Sequence, residues 1–263
     1  MLTKTDLALR FAAAQTIVRD LGALALNYFN DRASLGITMK GAQDWLTIAD
    51  GTVEAEFRTR IAALFPGDGV MGEEQGGTDS DALWIIDPID GTANFAHGDR
   101  QWCISVGFLA NGVPELGIIY APAMDEMFLG QRGLGATLNG KPLRPSDTSE
   151  IARATIEIGW SNRRPLDEYL SRVKACFEAG ANVKRGASGA LGVVHVALGR
   201  TDAYAETHIN AWDVAAGVVI AKEAGAYIND FFASKEALKS GNPIICIAPA
   251  LAPALLKLLK SGQ

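Results

Sequence analysis

The run Trp84-Ile85-Ile86-Asp87-Pro88-Ile89-Asp90-Gly91-Thr92-Ala93-Asn94-Phe95 carries two carboxylates three positions apart, on either side of a proline. The apolar residues ahead of Asp87 read as the end of a buried strand. Gly91-Thr92 lets the backbone turn tightly directly after Asp90. A strand end that delivers two acids beside free backbone N–H groups can hold divalent cations and a phosphate together. That combination points to metal-assisted phosphate chemistry. Acids entering a largely buried edge need a compensating cation. On this pair alone, metal binding and a structural role stand level.

Three more segments place acids near apolar patterns. They are Lys40–Asp50, Gly72-Glu73-Glu74 and Asn210-Ala211-Trp212-Asp213. Each has a bland reading. Asp213 follows Asn210, an N-cap residue, so it fits an acid placed for the helix dipole. Glu73-Glu74 fits a solvated loop and Lys40 a surface lysine. Thr92 after glycine fits a helix cap.

The elements that would position these groups fall into two textures. Leu7, Phe11, Ala14, Val18, Leu21, Ala25 and Phe29 recur at helical spacing and predict a helix over 5–29. Val53, Phe57, Ile61 and Leu64 predict a second, from about Val53 until Pro66-Gly67 stops it. Short apolar runs follow at 83–86, 104–109, 115–120 and 126–129, with hairpin signals at Asn111-Gly112 and Asn139-Gly140. This reads as an α+β half over 1–145. Residues 144–148 read as a linker. Beyond it, strands at 154–158, 182–184, 203–205, 225–228 and 244–247 alternate with helices at 165–178, 189–198, 211–224 and 250–259, an α/β half over 146–263.

A length of 263 residues with 48% hydrophobic content permits a sizeable core, in one large domain or two small ones. The net charge of −6 and the lack of a basic stripe argue against nucleic-acid binding. Cys103, Cys176 and Cys246 are scattered and form no CxxC pair, which fits a reduced, cytoplasmic compartment. His97, His195 and His208 lack zinc spacing. No signal peptide and no membrane span are expected.

Taken together, the four acidic segments resemble the inositol monophosphatase family of magnesium-dependent, lithium-sensitive sugar phosphatases. The run at 84–95 and Trp212-Asp213-Val214-Ala215-Ala216-Gly217 carry the resemblance, with Gly72-Glu73-Glu74 upstream, from the N-terminal helix to about Ile228. It implies a layered α-β-α-β-α sandwich with the site between the halves, and a homodimer. It implies two to three Mg2+ ions: Glu73, Asp87 and the Ile89 carbonyl at the first, and Asp87, Asp90 and Asp213 at the second. Glu73 helps hold a weak third, and Li+ acts as inhibitor. Oxygen-only donors suit magnesium.

The resemblance also implies roles. Thr92, bonded to Asp50, relays a proton from the attacking water, and Glu73 helps place that water. Backbone N–H groups of Gly91, Thr92 and Ala93 take the phosphate. Ser188, Gly189, Ala190 and Glu206 face the alcohol side, with Asp90 and Asp213 alongside. Ser188-Gly189 departs from the Gly-Thr common in the family, and Trp160 and Arg163-Arg164 stand where the family has small or polar residues. Ala93-Asn94-Phe95 after Gly91-Thr92 favours inositol 1-phosphate as substrate. Histidinol phosphate and fructose 1,6-bisphosphate remain alternatives. A reading from another class is a regulatory partner of the transcription machinery, for which Arg163-Arg164 and Lys184-Arg185 are the candidate patches. Solvated surface is their plainer explanation.

Overall fold

The computed structural model describes residues 2–31, 35–41, 44–77, 80–234 and 236–261, without the side chains of residues 40, 41, 44, 45, 260 and 261. Lys40, expected near the ions, therefore lies with its side chain outside the described residues.

Helix α1 spans Lys4–Asn30 behind a reciprocal Thr3/Asp6 cap. A short hairpin follows, β1 (Thr38–Gly41) and β2 (Asp44–Leu46). Helix α2 runs over Ile48–Leu64, more than a turn earlier than the apolar stripe predicts. The stripe misses the first turn because that turn is set by a cap, not by packing. Thr47 is the N-cap, and its N–H donates to Asp50 at 2.8 Å. Asp50 thus lies inside the helix, not before it.

Seven strands form the larger sheet in chain order: β3 (Gly69–Gly72), β4 (Ala82–Asp90), β5 (Cys103–Ala110), β6 (Val113–Ala121), β7 (Glu126–Gln131), β8 (Gly135–Leu138) and β9 (Lys141–Pro142). Only β3 and β4 pair in parallel. Asn111-Gly112 and Asn139-Gly140 make the expected turns, both residues of each pair having positive φ. Helix α3 (Thr92–His97) follows β4 directly.

Strand β4 does not stop before the acids. It continues through Asp90, with a register shift against β5 between Asp87 and Asp90. Asp87 faces Ser105 and Asp90 faces Cys103, so three steps on β4 match two on β5. Pro88 has no N–H to offer the ladder there. Residues three apart on a regular strand point to opposite faces. The extra residue returns both carboxylates to the same face.

The second sheet has order β11-β10-β12-β14-β13. Its strands are β10 (Thr155–Ile158), β11 (Asn182–Lys184), β12 (Ala203–Ile209), β13 (Tyr227–Ile228) and β14 (Asn242–Ile247). The helices between and after them are α4 (Leu166–Glu178), α5 (Gly189–Ala197), α6 (Ala211–Ala224), α7 (Ala237–Ser240) and α8 (Ala252–Ser261). Helix α7, the β1–β2 hairpin, β3, β8 and β9 are too short for periodicity to find.

Packing yields five layers. Residues of α1 and α2 (Ile17, Leu21, Phe57, Ile61) share a core with Trp84, Phe108 and Ile118 of the large sheet. Each such fully buried side chain contributes about 1.5–3 kcal/mol. The middle layer is α5 and α6, whose apolar residues join Leu83 and Ile119 to Ile244 and Cys246. The outer layer sets Cys176, Leu251 and Leu255 against Ile156 and Ala205. Helix α6 lies almost on the large sheet: a Cβ at Gly117 would sit 2.3 Å from the Ala216 carbonyl oxygen. That close approach presents the start of α6, and Asp213 with it, to the end of β4. No helix among the described residues is long and apolar enough to cross a membrane.

Candidate active site

The bulge on β4 and the start of α6 bring Asp87, Asp90 and Asp213 together, with carboxylate oxygens within 4.8 Å of one another. Asp87 and Asp90 are buried and Asp213 is half-buried. Asp213 keeps its bland role as well, since Asn210 caps α6 and its N–H donates to Asp213 at 2.9 Å. One carboxylate therefore serves both the helix start and the cluster.

Burial and like charge act together here. Burial, then the charges of Glu73, Asp90 and Asp213, push Asp87 well above the usual carboxylate range. Burial and the Asp90 charge lift Asp213 to about 7, against a bond from the Asn210 backbone. Asp87 and Asp213 act on each other, raising the first and lowering the second. The three make no ion pair among the described residues. Three converging carboxylates with oxygen donors alone and no basic partner are the donor set a hard divalent cation takes.

Asp90 is held differently. It accepts Ser188 Oγ at 2.5 Å, Ala190 N at 2.7 Å and Gly189 N at 3.2 Å. These donors sit at the start of α5, where the helix dipole favours a negative charge. Burial still outweighs them and raises Asp90. The three residues expected on the substrate side thus direct donors at Asp90. Ser188, where the family commonly has glycine, caps α5 and also accepts the Leu191 N–H at 3.3 Å.

Thr92 occupies the first turn of α3 behind Gly91, whose φ is 93°. A Cβ at Gly91 would meet the Gln101 carbonyl at 2.9 Å, so glycine is required there. The Thr92 hydroxyl donates to the Ile89 carbonyl at 2.9 Å and reaches Asp50 only at 3.4 Å. Asp50 is buried, which lifts it to about 6 despite bonds from Thr47. Ala93 follows Thr92, and its carbonyl lies 2.7 Å from His97 Nδ1.

Glu73 sits on the turn after β3, outside the tight trio but on the same cavity as Asp213. What holds that turn was not legible from the sequence. Glu54, fully buried on α2, accepts the Glu74 N–H at 2.8 Å and the Gln75 N–H at 3.0 Å. Arg58 pairs with it at 2.8 Å. Acid-base pairs four apart are common on exposed helix faces, so nothing marked this one as buried. Asn94 holds the site in the same way. Its amide donates to Gln101 O at 2.6 Å and Gly186 O at 2.8 Å, tying the turn after β4 to the loop before α5.

A cavity of about 460 Å³ opens beside the acids, lined by Glu73, Trp160, Arg163, Arg185, Glu206 and Asp213 among others. A smaller one of about 150 Å³ adjoins it, reaching Ser188, Gly189 and Tyr204. Glu206 is buried between them, and burial with the charges of Asp213 and Asp90 lifts it to about 8. The Tyr204 hydroxyl donates to it at 2.5 Å and Arg185 adds positive charge, both opposing that rise. A larger hollow of about 750 Å³ lies between α1 and α2, beside the Asp20–Arg60 ion pair, and holds none of these acids.

The chain is similar to proteins of one family. A protein named inositol-1-monophosphatase from Mesorhizobium japonicum is 33% identical over 237 residues, 88% of this chain and 89% of that one. A protein named Nus factor SuhB from Haemophilus influenzae is 36% identical over 231 residues, 86% of each chain. The solved inositol monophosphatase of Anabaena superposes with a TM-score of 0.84 at 32% identity, covering 97% of each chain. A model of the inositol monophosphatase family matches residues 6–263, and the chain belongs to that family.

Proposed function

We propose that this chain is a magnesium-dependent phosphomonoesterase acting on a small polyol phosphate, with inositol 1-phosphate as reference substrate. Family membership supports a phosphatase. The observation that carries the metal dependence is the carboxylate trio, whose Asp213 lines the cavity with Glu73. Asp87, Asp90 and Asp213, with Glu73 and the Ile89 carbonyl, are the groups we assign to two to three Mg2+ ions. A cation held there would supply Lewis acidity, polarising phosphoryl oxygens and making water more acidic.

The chain's own residues do the rest. Thr92 takes a proton from the attacking water and passes it toward Asp50, which must close the 3.4 Å gap. With a pKa near 6, Asp50 is suited to accept a proton near neutral pH. Glu73 orients the water. Gly91, Thr92 and Ala93 turn backbone N–H groups toward the phosphoryl oxygens. Attack is in line, with no covalent intermediate on the protein. Asp90, held by Ser188, Gly189 and Ala190, stays fixed as the P–O ester bond breaks and the leaving oxygen takes a proton from solvent to become the alcohol. Glu206 takes a hydroxyl of the leaving group. Residues 1–145 supply most of the ion-holding acids, and 146–263 supply Asp213 and the alcohol side. Li+ inhibition, a homodimer and a cytoplasmic setting complete the reading.

The test is phosphate release with Mg2+ from inositol 1-phosphate, histidinol phosphate and fructose 1,6-bisphosphate, each with and without Li+. Fast, chelator-sensitive release from inositol 1-phosphate is expected. Preference for another ester moves the protein to that branch, and no release from any ester refutes the reading.

The relatives named Nus factor SuhB motivate a second reading, a regulatory partner of the transcription machinery. The basic groups it needs are largely spent within the fold. Arg163 donates to Asn210, Arg164 pairs with Glu168, and Lys184 pairs with Glu157. Salt-sensitive binding to RNA or polymerase subunits would support it.

A further inference from the structure

We infer that a separate cavity, between α4, α8 and the second sheet, binds a small amphipathic monocarboxylate, its carboxylate on Arg172 and its apolar body against α8. The inference goes beyond the phosphatase reading and does not rest on it. The cavity has a volume of about 320 Å³, near the lower end of the range of about 300–1,000 Å³ usual for small-molecule sites. It is distinct from the cavity beside the acids. Strand β12 turns Glu206 and His208 toward the acids' cavity and the intervening Thr207 toward this one, as alternation along a strand requires.

Three charged side chains line the cavity: Arg164, Glu168 and Arg172. Glu168 is already engaged, since Arg164 donates to it from Nε at 3.1 Å and from Nη2 at 2.8 Å. Arg172, one turn further along α4, makes no hydrogen bond or ion pair among the described residues, and its Nη1 is buried. Burial pushes its guanidinium down from the ordinary value, opposed by the Glu168 charge and aided by that of Arg164. A buried N–H without an acceptor is costly, and a carboxylate matches the guanidinium fork. Two guanidiniums against one carboxylate leave a single net positive charge, which a monoanion balances and a phosphate dianion overshoots. Beyond Thr207 the remaining wall is apolar, with Pro243 and Ile245 from β14 and Leu256 and Leu259 from α8. That wall favours an apolar body behind the carboxylate over a bare mineral anion. If Arg172 served packing alone, with water on Nη1, the cavity would not distinguish an anion from a cation.

The experiment is calorimetric titration with hexanoate, acetate and hexylamine, with Mg2+ and inorganic phosphate present throughout to compete at the acids' cavity. It uses the wild type, R172M, which removes the anchor, and L256F, which fills the cavity and leaves Arg172 in place. Hexanoate should bind the wild type at least about tenfold more tightly than either acetate or hexylamine. R172M and L256F should each weaken hexanoate by about tenfold or more. Circular dichroism checks that each variant folds, and where one does not, the other decides. No binding of hexanoate to the wild type overturns the inference, as does affinity for acetate or hexylamine equal to that for hexanoate. Unchanged affinity in either folded variant places hexanoate elsewhere and overturns it too.

Discussion

Removing divalent cations should make this protein less stable as pH rises, the reverse of an ordinary salt-bridged carboxylate. Asp213 has a folded pKa of about 7, against an ordinary value of 3.8. A carboxyl raised in this way favours the folded state while protonated, and that advantage is lost as pH rises through the folded pKa. Between about pH 5 and pH 7 the unfolded carboxyl is ionised and the folded one is not, a difference of about 3 kcal/mol. Asp213 keeps partial solvent contact, which reduces this to about 2 kcal/mol. A ligand at 100 times its Kd adds about 2.7 kcal/mol, so Mg2+ at such a level offsets the whole loss. The assay is urea unfolding followed by tryptophan fluorescence at about pH 5 and about pH 8, with EDTA or with Mg2+. In EDTA the unfolding free energy should fall between the two pH values, and Mg2+ should restore it at the higher one. Asp213→Asn should reduce the slope of the EDTA profile by its own share, leaving that of the other raised acids, Asp50, Asp87 and Glu206. Stability independent of pH in EDTA, or indifferent to Mg2+ at about pH 8, would refute the assignment of these acids to a cation.

Further predictions concern single side chains. Asp90→Asn should lower phosphate release by at least about 100-fold, since it removes a proposed ion ligand. Turnover within a few-fold of wild type would remove Asp90 from the ion site. Glu54→Gln should cost about 2–3 kcal/mol in urea unfolding, below the full cost of breaking a buried pair because Arg58 is partly exposed and keeps carbonyl partners. It should also weaken Mg2+ binding by loosening the turn that carries Glu73, and unchanged Mg2+ affinity would show that the turn holds itself. Glu206→Gln should harm turnover of polyol phosphates more than that of an aryl phosphate, while equal losses on both would take Glu206 off the alcohol side.

Features of local origin are readable in the chain alone. The α1 stripe, the Asn111-Gly112 and Asn139-Gly140 turns and the Asn210 cap follow from residue types within a few positions, and each appears where expected. The run at 84–95 and the Trp212-Asp213 motif were enough to name the family, because chemistry there requires particular side chains in order. Tertiary structure decided the rest. Register against β5, set across the Pro88 bulge, turned Asp87 and Asp90 to one face, and no reading of β4 alone shows that. The close approach of α6 to Gly117 brought Asp213 to them from a distant part of the chain. The start of α5 captured Asp90 from 98 residues away through Ser188. Glu54 looks like one half of an ordinary surface pair until the turn after β3 packs over it. Helical and strand periods report only which face of an element is apolar. Which elements meet, and how closely, depends on packing between residues far apart in the chain.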